Sequence, residues 1–360
     1  MRGLIYLSLL SCLVFAVLTP LPAWAQFQLG PIKDRLAVME SDEAPDPGFD
    51  AGVAHPAYED AHPQVLFDEA HNNLHTSEGR YKPLVDLLTN DGYRVTANRA
   101  RMTREVLQNY QILVLATPSP TPSGQPVSES SSLALSEDEC DAVETWVSEG
   151  GSLFLVADPS PWPTSTENLA RRLGVVLGNG SVIDTSHADR QLNDPGDIVF
   201  TRGDGLVQGH PITDGRGPGE QVRRVVIFAG QSLRGSRGSA SFLRLSRDAM
   251  KAPTPTMKQL VEALASGKAR SSALNQQSQQ VTVSTTLAGV ANAPVDGDAL
   301  GLAITRGKGR VIVVGDAQMF SASLVRLPSG GQFALGMSRP HYDNRQLALN
   351  IFHWLSGLLK

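Results

Sequence analysis

Val65-Leu66-Phe67-Asp68-Glu69-Ala70-His71-Asn72-Asn73-Leu74-His75 runs from an apolar triplet straight into two acids, two histidines and two asparagines. Val65–Phe67 reads as a buried strand. Glu78-Gly79-Arg80-Tyr81 then leads into a helical pattern, with Pro83 in the first turn and Leu84, Leu87 and Leu88 on one face. Strand, polar loop and helix in that order put the polar groups beyond the carboxyl end of a strand, where open α/β sheets bind ligands.

The pattern continues outward from this stretch. Asn90-Asp91-Gly92 stops the helix, Tyr93–Val95 begins a second strand and Thr103–Leu107 fits a short helix. Ile112–Ala116 is apolar throughout, as a strand covered on both faces must be. After a Pro/Ser-rich loop from Pro118 to Ser132, Ser136-Glu137-Asp138-Glu139 forms a capping box for a helix that Gly150-Gly151 ends. Leu153–Ala157 is a fourth buried strand, closed by Asp158. The alternation predicts an α/β fold with a doubly wound, mostly parallel sheet and helices on both faces.

Beyond Leu177 the alternation weakens, with candidate strands at Val182–Ile183, Ile198–Phe200, Val222–Phe228 and Phe242–Leu245. Residues 248–298 read as an insertion that holds a helix near Met257–Ala265 and a Ser/Gln-rich run, Ser271–Gln280. Ala299–Thr305 and Arg310–Val314, joined by Arg306-Gly307-Lys308-Gly309, form a C-terminal β-hairpin that closes in Gly315-Asp316. Asp343 then caps a last amphipathic helix, with Leu347, Ile351, Trp354 and Leu355 on one face.

The N-terminus has the order of a secretory signal: Arg2, an apolar stretch from Leu4 to Leu18, Pro20 and Pro22, then Ala23-Trp24-Ala25. Residues 1–25 are therefore expected to be a signal peptide, placing the protein in the periplasm or at the cell surface. Membrane attachment would come only through an uncleaved signal. Of two cysteines, Cys12 leaves with that segment and Cys140 remains, so no internal disulfide framework is expected. Residues 26–63, rich in breakers and acids, read as an extended lead-in, leaving 64–360 as the folded domain. A formal charge of -5 without a Lys/Arg-rich cluster argues against nucleic acid as a partner.

The opening motif Val65–Asn73 with Gly79-Arg80-Tyr81 resembles that of the DUF4350-type domain family. Gly309-Arg310-Val311-Ile312-Val313-Val314-Gly315-Asp316, followed later by Asn350-Ile351-Phe352-His353-Trp354-Leu355, is similar to the ending of that family. It is similar also to the auxiliary component of gliding-type ABC transport systems. The resemblance spans about residues 64–356 outside the insertion. It implies the flavodoxin-like fold of class I glutamine amidotransferases, usually without their catalytic residues. Active amidotransferases place a nucleophilic Cys on a Gly-flanked turn after a central strand. Here the comparable strand ends Ala157-Asp158-Pro159-Ser160-Pro161-Trp162, which argues against glutamine hydrolysis.

The candidate ligand-binding residues are Asp68, Glu69, His71, Asn72, Asn73, Asp158 and Asp316. Asp158 and Asp316 each end a strand, so parallel strands would bring both to the edge that holds Asp68, suiting a cation or a polyhydroxylated ligand. Each could equally cap the next helix. Asp68, His71 and His75 are candidate ligands of a divalent metal, because His71 and His75 would share a face if the segment were helical. Asn72 stands where an H-E-x-x-H zinc site needs Glu, and a hydrogen-bonded loop would use the same residues.

Gly230-Gln231-Ser232-Leu233-Arg234 approaches a nucleophile elbow but carries Arg234 at its second glycine, which favours a turn. His210, held extended by Pro211, faces either a cleft or its own turn. Cys140 falls in register with Val143 and Val147, as a core residue would.

Two functions follow from these residues. One is an exported, non-catalytic amidotransferase-like domain that needs no cofactor and binds a small ligand, a glycan or an envelope protein at the carboxyl edge of its sheet. The other is a metal-assisted hydrolase using Asp68, His71 and His75 as ligands, with Glu69 as base and His71 essential.

Overall fold

The computed structural model describes residues 42–121, 133–159, 164–190, 195–252, 269–271, 285–287, 293–326 and 332–360. The expected signal peptide, the helix near Met257–Ala265 and most of the Ser/Gln-rich run lie outside the described residues.

The first strands are β1 (Asp42–Pro45), β2 (Gln64–Asp68), β3 (Arg94–Asn98), β4 (Ile112–Ala116) and β5 (Ser152–Val156). Helices α1 (Lys82–Asn90), α2 (Arg104–Leu107) and α3 (Glu137–Glu149) connect them. Next come α4 (Glu167–Arg172), β6 (Val175–Ile183), β7 (Val199–Thr201), α5 (Pro211–Asp214) and β8 (Arg224–Val226). β9 (Gln231–Gly235), β10 (Ala240–Arg244), β11 (Met250–Ala252), β12 (Ala269–Ser271), β13 (Thr285–Leu287) and β14 (Ala293–Pro294) follow. The chain closes with β15 (Ala299–Arg306), β16 (Gly309–Val314), β17 (Ala322–Arg326), β18 (Gln332–Gly336) and α6 (Asn344–Leu355).

The main sheet is mixed, in the order β14-β11-β6-β9-β15-β16-β5-β4-β2-β3, with β10 also paired to β15. β3, β2, β4, β5 and β16 are mutually parallel. The remaining pairs, from β16–β15 through β14, are antiparallel. The expectation of a mostly parallel sheet thus covers only the first half. Once β15 and β16 form a hairpin, the sheet direction has reversed, and short turns can add antiparallel strands without helical crossovers.

Side chains alternate cleanly in the parallel half. Val65 and Phe67 join Ile112, Val114, Phe154, Val156, Ile312 and Val314 in one core, under α1 and α6. Leu66 joins Leu113, Leu115, Leu153, Leu155, Val311 and Val313 in the other, under α2, α3 and α4. This is why the central strands read as continuous apolar runs: both faces are dry. A third, smaller core of Val199, Val226, Phe228, Val325 and Leu335 joins the β7–β8 ribbon to the sheet β1-β17-β18.

Two boundaries differ from the reading of the sequence. β1, inside the expected lead-in, pairs antiparallel with β17, and Phe49, Ala51 and Val53 pack on the first core. Acids and prolines concealed these contacts, because an edge strand needs few apolar residues. The expected insertion is partly sheet: β11 pairs with both β6 and β14, and β12 pairs with β13. No helix among the described residues is long and apolar enough to cross a membrane.

Candidate functional site

Asp68 is the last residue of β2 and is fully buried. Its carboxylate lies 2.9 and 3.0 Å from His71 Nδ1 and accepts from Asn73 Nδ2 at 3.0 Å and the Ala70 amide at 3.2 Å. The other ring nitrogen, His71 Nε2, is 3.0 Å from Glu139 Oε1. A 7% exposed imidazole thus bridges two buried carboxylates. Burial works against its charge, but the hydrogen bond to Asp68 and the two negative charges prevail, raising the His71 pKa above its ordinary value.

Glu139 arrives through the capping box. Its Oε2 accepts from the amide and hydroxyl of Ser136, while Oε1 accepts from the Met102 amide and His71. Burial alone would raise its pKa; the Ser136 bonds, the His71 charge and the Met102 amide hold it below the usual carboxylate value. Sequence reasoning found Glu139 as a cap and missed it as the second carboxylate on His71. The capping box signalled only that the Glu139 side chain turns back to Ser136, and carried no sign of His71.

The loop itself is stitched to the end of β4. Asn73 Nδ2 donates to the Ala116 carbonyl, the Leu74 amide to Thr117 O and the Ser119 amide to His71 O. Asn72 (φ 47°) tolerates the left-handed region; Thr117 (φ 45°), being β-branched, is strained there. The Thr117 amide donates to Val156 O at 3.0 Å and its hydroxyl lies 2.9 Å from His75 Nδ1, contacts that hold the strained geometry.

The segment is not helical, so His71 and His75 do not converge. His75 is 1% exposed, lies 4.6 Å from the Tyr81 ring and is pushed by burial down to a pKa of about 3. Glu69, the base of the hydrolase reading, is committed as well: Oε1 accepts from the Ser77 amide and hydroxyl, and Oε2 from Arg99. Burial would raise its pKa, but the Ser77 bonds and then Arg99 lower it. Among the described residues no group of three or more His, Cys, Asp or Glu side chains is arranged to hold a metal.

Asp158 and Asp316 do lie at the same edge, since β5 and β16 run parallel to β2. They serve the backbone rather than the Asp68 cluster. Asp316, wholly buried, accepts from the amides of Phe228 and Met319, and Asp158 accepts from the Ala317 amide. Burial, with the neighbouring Asp158 charge, pushes Asp316 up to about 8. Tyr81 donates to Ala317 O at 2.7 Å and shares this side of the edge.

The remaining candidates are structural. Ser232 sits inside β9, neither an elbow nor a turn. His210 caps α5 by accepting the Ile212 amide at 3.2 Å. Cys140 is fully buried in α3, its pKa pushed by burial up to about 11. Asp343 turns away from its own helix, accepting from the Arg223 and Arg224 amides instead.

What stays open at the edge is a groove of ≈ 590 Å³ with His71 and Glu139 in its wall. Asn72, Arg99, Arg101, Ser119 and Ser136 line it, alongside Pro120, Leu133 and Leu135.

Among solved structures the fold is similar to "mmIFT52 N-terminal domain", with TM-score 0.51 and 13% identity over 81% of this chain and 97% of that one. Putative ThuA-like proteins also match. That of Parabacteroides merdae has TM-score 0.39 and 10% identity, covering 83% of this chain and 91% of that one. That of Bacteroides uniformis has TM-score 0.35 and 12% identity, with 86% and 95% covered. No protein-family model and no curated protein matches the chain.

Proposed function

We propose that this chain is an exported, non-catalytic binding domain of the amidotransferase-like, doubly wound kind, akin to DUF4350-type domains. It receives a ligand or an envelope protein in the groove beside His71. One observation carries the reading: both ring nitrogens of His71 already face carboxylates, so the groove's imidazole holds structure and has no free position for proton transfer. Glu69 is equally occupied, and the one described thiol is buried. Binding is left to Arg101, Asn72 and the guanidinium donors of Arg99 that Glu69 does not take, which suit hydroxyl- or carboxylate-bearing groups. A glycan fits that inventory.

The metal-assisted hydrolase has weaker support, because the His71 and His75 rings take different partners and Glu69 is bound.

The test is a thermal-shift and calorimetric titration of residues 26–360 with neutral and uronic acid oligosaccharides, in parallel with p-nitrophenyl ester and phosphate assays. Saturable binding weakened about tenfold, or about 1.4 kcal/mol, by Arg101→Ala or Asn72→Ala, without turnover, is the expected result. Turnover that disappears in His71→Ala would overturn it.

A further inference from the structure

A second cleft, of ≈ 440 Å³, opens between the β7–β8 ribbon and the turn that follows β18. It shares no lining residue with the His71 groove. Its walls carry Arg190, Arg224, His187 and His341 against two acids, Asp189 and Asp204.

One acid is matched by a cation and the other by a hydroxyl. Asp189, 2% exposed, takes Arg339 Nη2 at 2.9 Å and the Tyr342 hydroxyl. Asp204 accepts from Thr201 Oγ1 at 2.6 Å. An Arg–Asp pair buried this deeply costs much desolvation, and an apolar pair would often stabilise the fold as well. What this pair accomplishes is to fix Tyr342, whose ring lies 4.5 Å from the Arg224 guanidinium and 5.8 Å from that of Arg339. Burial, and then the hydrogen bond and charge of Asp189, push the Tyr342 phenol up to about 12, so it remains a donor.

Tyr342 in turn places Arg224. The Arg224 backbone amide is held by Asp343 at 2.9 Å and its Nη2 donates to the Tyr342 hydroxyl at 3.2 Å, so several guanidinium donors stay free for the cleft. Arg190 is exposed and makes no side-chain ion pair among the described residues. His341 stands at the lip with φ 68°, a left-handed conformation that a non-glycine residue adopts at some cost.

We propose that this cleft binds the oxyanion group of a small polar molecule, a phosphate or a carboxylate, gripped by Arg190 and Arg224 above the rigid Tyr342–Asp189–Arg339 base. A guanidinium presents paired N–H donors at the spacing of two oxyanion oxygens, which a lysine in its place would not. The cavity has the size of a small-ligand site.

The experiment is isothermal titration of residues 26–360 with sodium phosphate and, separately, sodium glucuronate at constant ionic strength in a non-coordinating amine buffer. Saturable binding of one anion is expected, weakened about tenfold or more by Arg190→Ala and by Arg224→Ala. Phosphate binding assigns a phosphate ester, and glucuronate binding assigns a carboxylate. Among the described residues Arg190 has no ion pair to lose, so Arg190→Ala separates lost binding from lost folding. Failure of both anions to bind, or binding unchanged in Arg190→Ala, overturns the proposal. So does binding abolished by Arg101→Ala, which would place the anion in the other groove.

Discussion

His71 joins two buried carboxylates at the sheet edge. Removing its ring leaves Asp68 and Glu139 buried without their shared partner, and breaking such an arrangement costs about 3–5 kcal/mol. His71→Ala is therefore expected to unfold at markedly lower urea concentration than the parent. The pair also has a pH signature. A raised His71 pKa gives stability that is complete below the ordinary imidazole value and lost as pH rises through the folded value. The lowered Glu139 pKa gives stability complete above the ordinary carboxylate value and lost as pH falls through the folded one. Stability contributed by this contact should peak between the two and fall on both sides. Urea titrations of the parent and His71→Ala between about pH 3 and 10 measure it, and a pH-independent difference would refute it.

Asp316 behaves oppositely. Its folded value of about 8 means the unfolded chain releases this proton first, so the parent should lose stability relative to Asp316→Asn as pH rises toward that value and then level off. Equal pH dependence of the two proteins would contradict the burial argument.

At the scale of elements, the β15–β16 hairpin tests how tightly the fold is set. A Cβ on Gly309 would come within 2.1 Å of the carbonyl oxygens of Val147 and Gly151, and neither can withdraw without moving α3 or β5. Gly307 has φ 60° and faces Ser148 O in the same way. Gly309→Ala should cost about 1–3 kcal/mol, the usual price of overpacking, read as a lower denaturation midpoint. Capping offers a milder perturbation. Ser136→Ala removes the N-cap of α3 and the hydroxyl bond that helps aim Glu139 at His71, leaving the backbone amide bond, so its cost should exceed the ~1 kcal/mol of an ordinary cap. The excess should vanish in a His71→Ala background, which a double-mutant cycle would show.

At the scale of the whole molecule, β1 fastens the chain's N-terminal side to the body. It covers the edge of β17, and Glu43 lies 3.2 Å from Arg80 at the start of α1. A protein beginning at residue 47 would leave that edge unpaired. It should melt lower, by about 2–4 °C for each kcal/mol lost, and self-associate more by light scattering. An unchanged melting temperature would mean that the strand contributes nothing.

The sequence by itself determined the strand–loop–helix opening at Val65–Tyr81, the apolar strands β2, β4 and β5, the capping box and the closing hairpin. Each is written in local periodicity or turn chemistry, which act over a few residues. It also named Asp68, Asp158 and Asp316 as strand-ending acids that parallel strands would bring to one edge, and those strands do run parallel. What only the tertiary structure decided is how those groups are spent. Glu139 stands 68 residues from His71, and no local pattern encodes their contact. The left-handed turn at Asn72 separates His71 from His75, which a helix would have aligned. The pairing of the antiparallel half was equally hidden, since a short strand such as β11, like β1 beside β17, acquires its structure from the neighbours it pairs with.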